Sequence, residues 1–290
     1  MRLIDSHAHL QADAFAFDLP DVMAAAHAAG VERLLVPGWD AGSSAAAVRL
    51  VHDGRLEWHG EWHLDAAVGI HPHDAAVATD AEWAAIVQLA AAPEVVAIGE
   101  TGLDFDRMHS PQEAQLANLR RHLRLALDTG KPAILHCRST AGQRDAQDAL
   151  ISELRAAGFG GAAGVAAFGD RPPAVLHSFS GPIDYGIAAL QMGLAIAFGG
   201  LVFRRGEEAS AEVARLVPVE RLLIETDSPY LAPPGVPRGS MPGFSGRRNS
   251  PEWVRITGEW VAKQRSETPD TIGEGLVAAY DATFRHPSAG

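Results

Sequence analysis

The chain predicts an α/β fold, a (β/α)8 TIM barrel. Three observations carry that prediction. Eight short aliphatic runs recur along the chain, segments of helical period separate them, and ionisable residues fall just beyond the C-terminal ends of the runs. At 290 residues the chain is long enough for two domains. Barrels of this class fold as one unit at about 250 residues, so residues 1–290 are read as a single barrel domain.

The first run, Leu3 to Asp5, leads into His7-Ala8-His9. Side chains at i and i+2 of an extended strand share a face, so these two imidazoles can converge on one cation. The second run is Val31 to Val36 and the third Leu64 to Ile70, with His71 after it. Thr79 and Glu82 then stand at capping-box spacing ahead of Trp83, Ile86, Val87 and Ala90, which predicts a helix. Val95 to Ile98 is the fourth run, and Glu100 follows between Gly99 and Gly102, two glycines that permit close backbone approach.

The clearest helix spans Ser110 to Gly130. Ser110 is placed to cap it, with Pro111 at its first position, Glu113 completing a capping box and Gly130 as the stop. Leu116, Leu119, Leu123 and Leu127 form its apolar stripe. Pro132 to Leu135 leads to His136, Ala174 to Leu176 leads to His177, and Leu194 to Phe198 is the seventh run. Leu222 to Ile224 is the eighth, followed by Asp227. The Gly/Ala-rich stretch from Gly158 to Pro173 reads as an extended connection. Alternation of this kind implies parallel strands joined by right-handed crossovers. An open, doubly wound sheet is the alternative, but no Gly-rich phosphate fingerprint follows the first strand.

Hydrophobic residues at 47% are ample for a core, and the single cysteine, Cys137, cannot form an internal disulfide, which fits a reducing, cytoplasmic location. There is neither a secretory leader pattern nor an apolar run of about 18 residues, so no membrane partner is expected, and no obligate protein partner is evident. A net charge of −12 argues against a broad basic face that would hold duplex nucleic acid by neutralising its phosphates. Any polyanion must be gripped locally.

The top face of a barrel gathers residues from distant parts of the chain. His7, His9, His71, Glu100, His136, His177 and Asp227 all take such positions, whereas His27, His52, His59, His63, His73, His109, His122 and His286 do not and read mostly as surface or capping residues. A lone buried histidine is usually satisfied by the backbone, but two in equivalent places on adjacent strands favour metal coordination. Asp227 ends an apolar strand just before Pro229, where a buried carboxylate needs a cation or donors. Asp104 reads as a turn-stabilising carboxylate.

Six motifs then carry a resemblance: Asp-Ser-His-Ala-His-Leu at 5–10, Gly-Ile-His-Pro-His at 69–73, Gly-Glu-Thr-Gly-Leu-Asp at 99–104, His-Cys-Arg at 136–138, His-Ser-Phe-Ser-Gly at 177–181 and Glu-Thr-Asp-Ser-Pro-Tyr at 225–230. In order and spacing, and with Arg-Arg-Asn-Ser-Pro at 247–251, the chain resembles the TatD family of metal-dependent deoxyribonucleases and related hydrolases over essentially its whole length.

The resemblance implies two divalent metal ions, Mg, Mn or Zn. His7, His9 and Asp227 would hold one, Glu100 would bridge, and His136 and His177 would complete the second. Such ions activate water and polarise a phosphoryl group, with Asp227 as general base and Glu100 sharing the catalytic role. His71 would lie behind the ligands or against a substrate phosphate. Arg138, Arg204, Arg205, Arg247 and Arg248 are candidate phosphate grips, and Phe105, Phe179, Phe203, Tyr230 and Phe244 candidate stacking platforms. The implied substrate is DNA, with single-stranded ends favoured over long duplexes. Two rival functions share the barrel: an amidohydrolase-type lactonase, cyclic amidase or phosphotriesterase, and a non-catalytic metal-binding protein. Many amidohydrolase-type sites bridge their metals with a carboxylated lysine. No lysine lies in the fourth strand, which favours a Glu100 bridge.

Overall fold

The computed structural model describes residues 1–57, 63–237, 239–241 and 244–284. Eight parallel strands follow one another in sequence order around a single sheet: β1 (Leu3–Asp5), β2 (Val31–Pro37), β3 (His63–Val68), β4 (Val95–Asp104), β5 (Ala133–Arg138), β6 (Ala174–Leu176), β7 (Ala195–Phe198) and β8 (Leu222–Ile224). The seam between β8 and β1 is closed beyond the strand ends. Ser6 N donates to Ile224 O at 3.0 Å, Asp227 N to His7 O at 2.9 Å and His9 N to Ser228 O at 2.8 Å. Asp5 fastens the same seam by accepting from Thr226 N, Thr226 Oγ1 and His7 N at 2.9, 2.6 and 3.2 Å. Burial pushes the Asp5 carboxyl up to about 7, against the pull of those hydrogen bonds.

Ten helices accompany the strands among the described residues: α1 (Leu19–Ala28), α2 (Ala41–Glu57), α3 (Asp80–Leu89), α4 (Gln112–Thr129), α5 (Asp145–Ala157), α6 (Ala162–Phe168), α7 (Ile183–Gln191), α8 (Ala209–Leu216), α9 (Val254–Arg265) and α10 (Pro269–Phe284). Strands wrapped in this way are buried on both faces, which is why they read as continuous aliphatic runs. Leu34, Leu35, Val68, Ile98, Leu135 and Ile196 are all fully buried. No helix of the described residues is long and apolar enough to cross a membrane.

The structure revises several local expectations. The third strand ends at Val68 instead of Ile70, while β4 and β5 run on, so that Glu100 and His136 lie within their strands. The β4–β5 register slips between Ile98 and Thr101, and pairing resumes from Thr101 to Asp104. Glycine makes this possible. Gly99 and Gly102 have φ of 146° and 144°, and a Cβ on Gly102 would run into the His136 carbonyl. Thr79 and Glu82 form the expected capping box, and Gly130 ends α4 in the left-handed conformation. Ser110 does not cap α4: its hydroxyl donates to His73 O at 2.7 Å and accepts from Ala76 N at 3.0 Å, tying down the loop after β3. The Gly158 to Pro173 stretch contains helix α6. A small hairpin, β9 (Gly239–Met241) with β10 (Phe244–Gly246), lies in the long connection after β8.

Candidate metal centre

Glu100, buried within β4, is the hub of the barrel mouth. Its Oε2 stands 3.3 Å from His7 Nε2 and 3.8 Å from His9 Nε2. Its Oε1 stands 3.0 Å from His136 Nδ1, 3.4 Å from His71 Nε2 and 3.5 Å from His177 Nε2. Asp227 Oδ1 approaches from the β8 side, 3.5 Å from His9 Nε2 and 3.9 Å from His7 Nε2. One carboxylate therefore faces two groups of imidazoles, one with each oxygen. Three overlapping sets, His7 with His9 and Asp227, His7 with Glu100 and His177, and His71 with Glu100 and His136, each bring their donor atoms within 4.8 Å of one another.

Most of these rings are held from behind. His9 Nδ1 lies 3.2 Å from Pro37 O, His177 Nδ1 lies 2.8 Å from Glu225 Oε1, and His136 Nε2 lies 3.4 Å from Asp104 Oδ2. In each case an acceptor stands near the outer nitrogen, the arrangement that would let the inner nitrogen serve as a metal ligand. His71 is the exception. Its Nδ1 accepts from His73 N at 3.1 Å, and a backbone amide can only donate, so the proton of neutral His71 sits on Nε2 and points at Glu100. Burial keeps His71 neutral by lowering it to about 4, outweighing the attraction of Glu100.

The field of the site calls for positive charge. Burial opposes ionisation of Glu100, yet the surrounding imidazoles, with His71 and His177 foremost, hold it well below the usual carboxylate range. Burial likewise disfavours a charged His177, but Glu225 and Glu100 overcome this and push it up to about 10. His7, packed against His177 with ring centroids 3.7 Å apart, goes the other way, lowered by burial and then by that neighbour. Mixed nitrogen and oxygen donors converging on a carboxylate hub fit divalent cations.

Sequence reasoning does not single out Glu225, although a carboxylate directly after the three buried aliphatics of β8 is a readable signal. His73 and His122 also depart from the surface role. His73 Nε2 lies 2.7 Å from Asp104 Oδ2, and His122 is fully buried. Asp104 keeps its turn role, its Oδ1 accepting from Asp106 N and Arg107 N at 3.1 and 2.8 Å, while its Oδ2 serves His73 and His136.

The arginines divide. Arg248 is committed to Asp18 through contacts of 2.8 and 2.6 Å and to Ala14 O at 2.6 Å, and Arg138 pairs with Asp106 at 3.0 Å. Arg204 and Arg247 instead line a cleft beside the centre, which Arg205 does not. Among the aromatic candidates, Phe105 and Phe179 are buried, whereas Phe203 and Tyr230 line that cleft. The side chain of Phe244, like His59 and His286, lies outside the described residues.

An eight-stranded α/β barrel whose mouth gathers a carboxylate-centred histidine cluster defines a class, the metal-dependent hydrolases. The profile of the TatD-related DNases matches residues 4–285. The chain is 36% identical to the 3′-5′ ssDNA/RNA exonuclease TatD of Escherichia coli, covering 98% of this chain and 97% of that protein. It is 32% identical to the uncharacterised metal-dependent hydrolase YabD of Bacillus subtilis, covering 98% and 99%. The crystal structure of YjjV, a TatD homologue from Escherichia coli, superposes with a TM-score of 0.80 at 28% identity over 99% of both chains. The chain belongs to the TatD-related DNase family.

Proposed function

We propose that this chain is a cytoplasmic two-cation exonuclease that removes nucleotides from single-stranded DNA ends, with the 3′-to-5′ polarity named for its Escherichia coli relative. The observation that carries the reading is the division of Glu100, with Oε2 toward His7 and His9 and Oε1 toward His136 and His177. His7, His9 and Asp227 would hold one cation, His136 and His177 the other, and Glu100 both. Imidazole-rich ligation favours Zn or Mn over Mg. Cations so held supply Lewis acidity toward a phosphoryl oxygen and toward water.

The remaining chemistry falls to the side chains. Asp227 is 14% exposed against 4% for Glu100, so it is the hub carboxylate best placed to take a proton from an attacking water. His9 helps keep it ionised by holding its carboxyl below the usual range, against the effect of burial. His71 donates to Glu100, orienting the bridge. The recessed mouth and acidic surface favour a single strand over a long duplex.

The test is digestion of end-labelled single-stranded DNA, with single-stranded RNA and a lactone and phosphotriester panel alongside, by chelator-stripped protein resupplied with Mg²⁺, Mn²⁺ or Zn²⁺. DNA should shorten only when metal is restored. Glu100→Ala and Asp227→Ala should lose roughly 10²- to 10⁴-fold in rate, the span for removing a positioned catalytic group. Intact DNA under every metal, with a lactone turned over, would overturn the reading.

A further inference from the structure

Two residues beyond Asp227 the chain forms the floor of a cleft of about 530 Å³. Pro229, Tyr230 and Leu231 line it from the β8 side and Phe203 from the loop after β7, with Arg204 and Arg247 among its lining residues. The cleft adjoins the metal centre. Tyr230 N donates to Asp227 O at 2.8 Å, and the Tyr230 ring meets that of His9 edge-on, centroids 6.0 Å apart. Tyr230 is 53% exposed, an unusual position for so large an aromatic. Phe203 is braced from behind by Trp260, with ring centroids 6.4 Å apart.

The cleft's lining carries positive charge and no negative charge. In a protein of net charge −12 several arginines lie against a carboxylate, among them Arg2 with Glu32, Arg33 with Asp281, Arg120 with Glu153, Arg138 with Asp106 and Arg248 with Asp18. Arg204 and Arg247 are exposed, have no ion-pair partner among the described residues, and share a cleft that no acidic side chain of those residues lines. Two uncommitted guanidinium groups over aromatic and apolar walls match one kind of ligand, a phosphate attached to a flat ring.

We propose that this cleft seats the nucleotide next to the scissile bond, its base against Tyr230 and Phe203 and its phosphates on Arg204 and Arg247. The proposal rests on the nuclease reading above and adds the substrate seat. Apart from the arginines, the lining side chains offer only the Tyr230 hydroxyl as a hydrogen-bonding group. The seat therefore discriminates by stacking strength and phosphate count and does not read base edges.

Binding of a fluorescent, phosphorothioate-linked hexanucleotide to the metal-loaded full chain tests this across a salt series. Arg204→Ala/Arg247→Ala should weaken binding and flatten the plot of log K against log salt by about 1.4, since each single-strand phosphate left without its arginine removes ~0.7 from the slope. Tyr230→Ala should raise Kd about tenfold, within the range for losing one base–aromatic stack, while Tyr230→Phe keeps the ring and the affinity. With cleavable DNA, the arginine variant should raise KM and leave kcat within about twofold, as loss of uniform binding requires. If wild type digests DNA while the arginine variant binds with unchanged slope, or if Tyr230→Ala binds like wild type, the cleft assignment is wrong and the nuclease reading stands. If binding follows the arginines but no DNA is cut under any metal, the cleft assignment holds and the nuclease reading falls.

Discussion

At the scale of single residues, the outward-facing ring nitrogens sort ligands from helpers. His9, His136 and His177 each have a carbonyl or carboxylate behind them, at Pro37, Asp104 and Glu225, the outer partner that a metal-bound imidazole uses. His71 accepts from a backbone amide and presents a proton. The two kinds of residue should therefore differ in metal content. His136→Ala should lose about one equivalent of bound metal by elemental analysis, whereas His71→Ala should keep the full complement and lose rate. Loss of an equivalent from His71→Ala would show that its tautomer has been assigned backwards. The outer partners should grade in the same way. Glu225→Gln, which removes the carboxylate charge 2.8 Å from His177 Nδ1, should weaken metal affinity about 10- to 100-fold, the cost usual for disturbing the groups that orient a ligand.

At the scale of elements, strands and self-contained caps were legible because their signals are local. Aliphatic runs mark strands buried on both faces, and the Thr79–Glu82 box closes within one helical turn. Ser110 misleads for the opposite reason: the groups that bind its hydroxyl belong to His73 and Ala76, more than 30 residues away. The extension of β4 past Glu100 was likewise hidden, since it depends on where β5 lies. His122 on α4 is another long-range tie. Its Nδ1 donates to Asn118 O at 2.7 Å and its Nε2 accepts from Ile70 N at 3.0 Å, anchoring the helix to the loop that carries His71. The bond from Ile70 N requires the neutral ring, since a protonated Nε2 cannot accept, and burial lowers His122 to about 3. The unfolded chain takes up this proton near pH 6.5, so the stability it contributes is complete above that pH and drains away as pH falls toward 3. By pH 5 the loss is on the order of 2 kcal/mol, or about 4 °C in Tm. His122→Gln keeps a donor and an acceptor without titrating. Between pH 7 and 5 its Tm should fall by about 4 °C less than that of wild type, and parallel curves would show that His122 does not carry this linkage.

At the scale of the whole molecule, the centre gathers groups from β4, β5 and the loops after β1, β3, β6 and β8, a span of sequence from His7 to Asp227. Barrel topology made that gathering legible, because every candidate already stood at or near a strand's C-terminal end. The backing roles of Asp104 and Glu225 were not legible, since they depend on which nitrogen of which ring each carboxylate meets. The same topology gives bound metal a mechanical consequence. Glu100 and Asp227 draw β4 and the β8 loop toward the histidines just after β1, across the seam that backbone bonds, Ser6 and Asp5 close. Cations joining these groups bind the folded barrel and not the unfolded chain. At a free concentration 100 times Kd, this adds about 2.7 kcal/mol to the stability of the fold. For a chain of this size that corresponds to about 4–5 °C in Tm. Stripping with chelator should lower Tm by that amount, and restoring Mn²⁺ or Zn²⁺ should return it. Glu100→Gln, having lost the charge shared by both halves of the site, should show most of the shift abolished, while Arg204→Ala keeps it in full. If metal removal is verified by elemental analysis and Tm does not move, the cluster does not brace the barrel, and its assignment as a cation site loses its structural support.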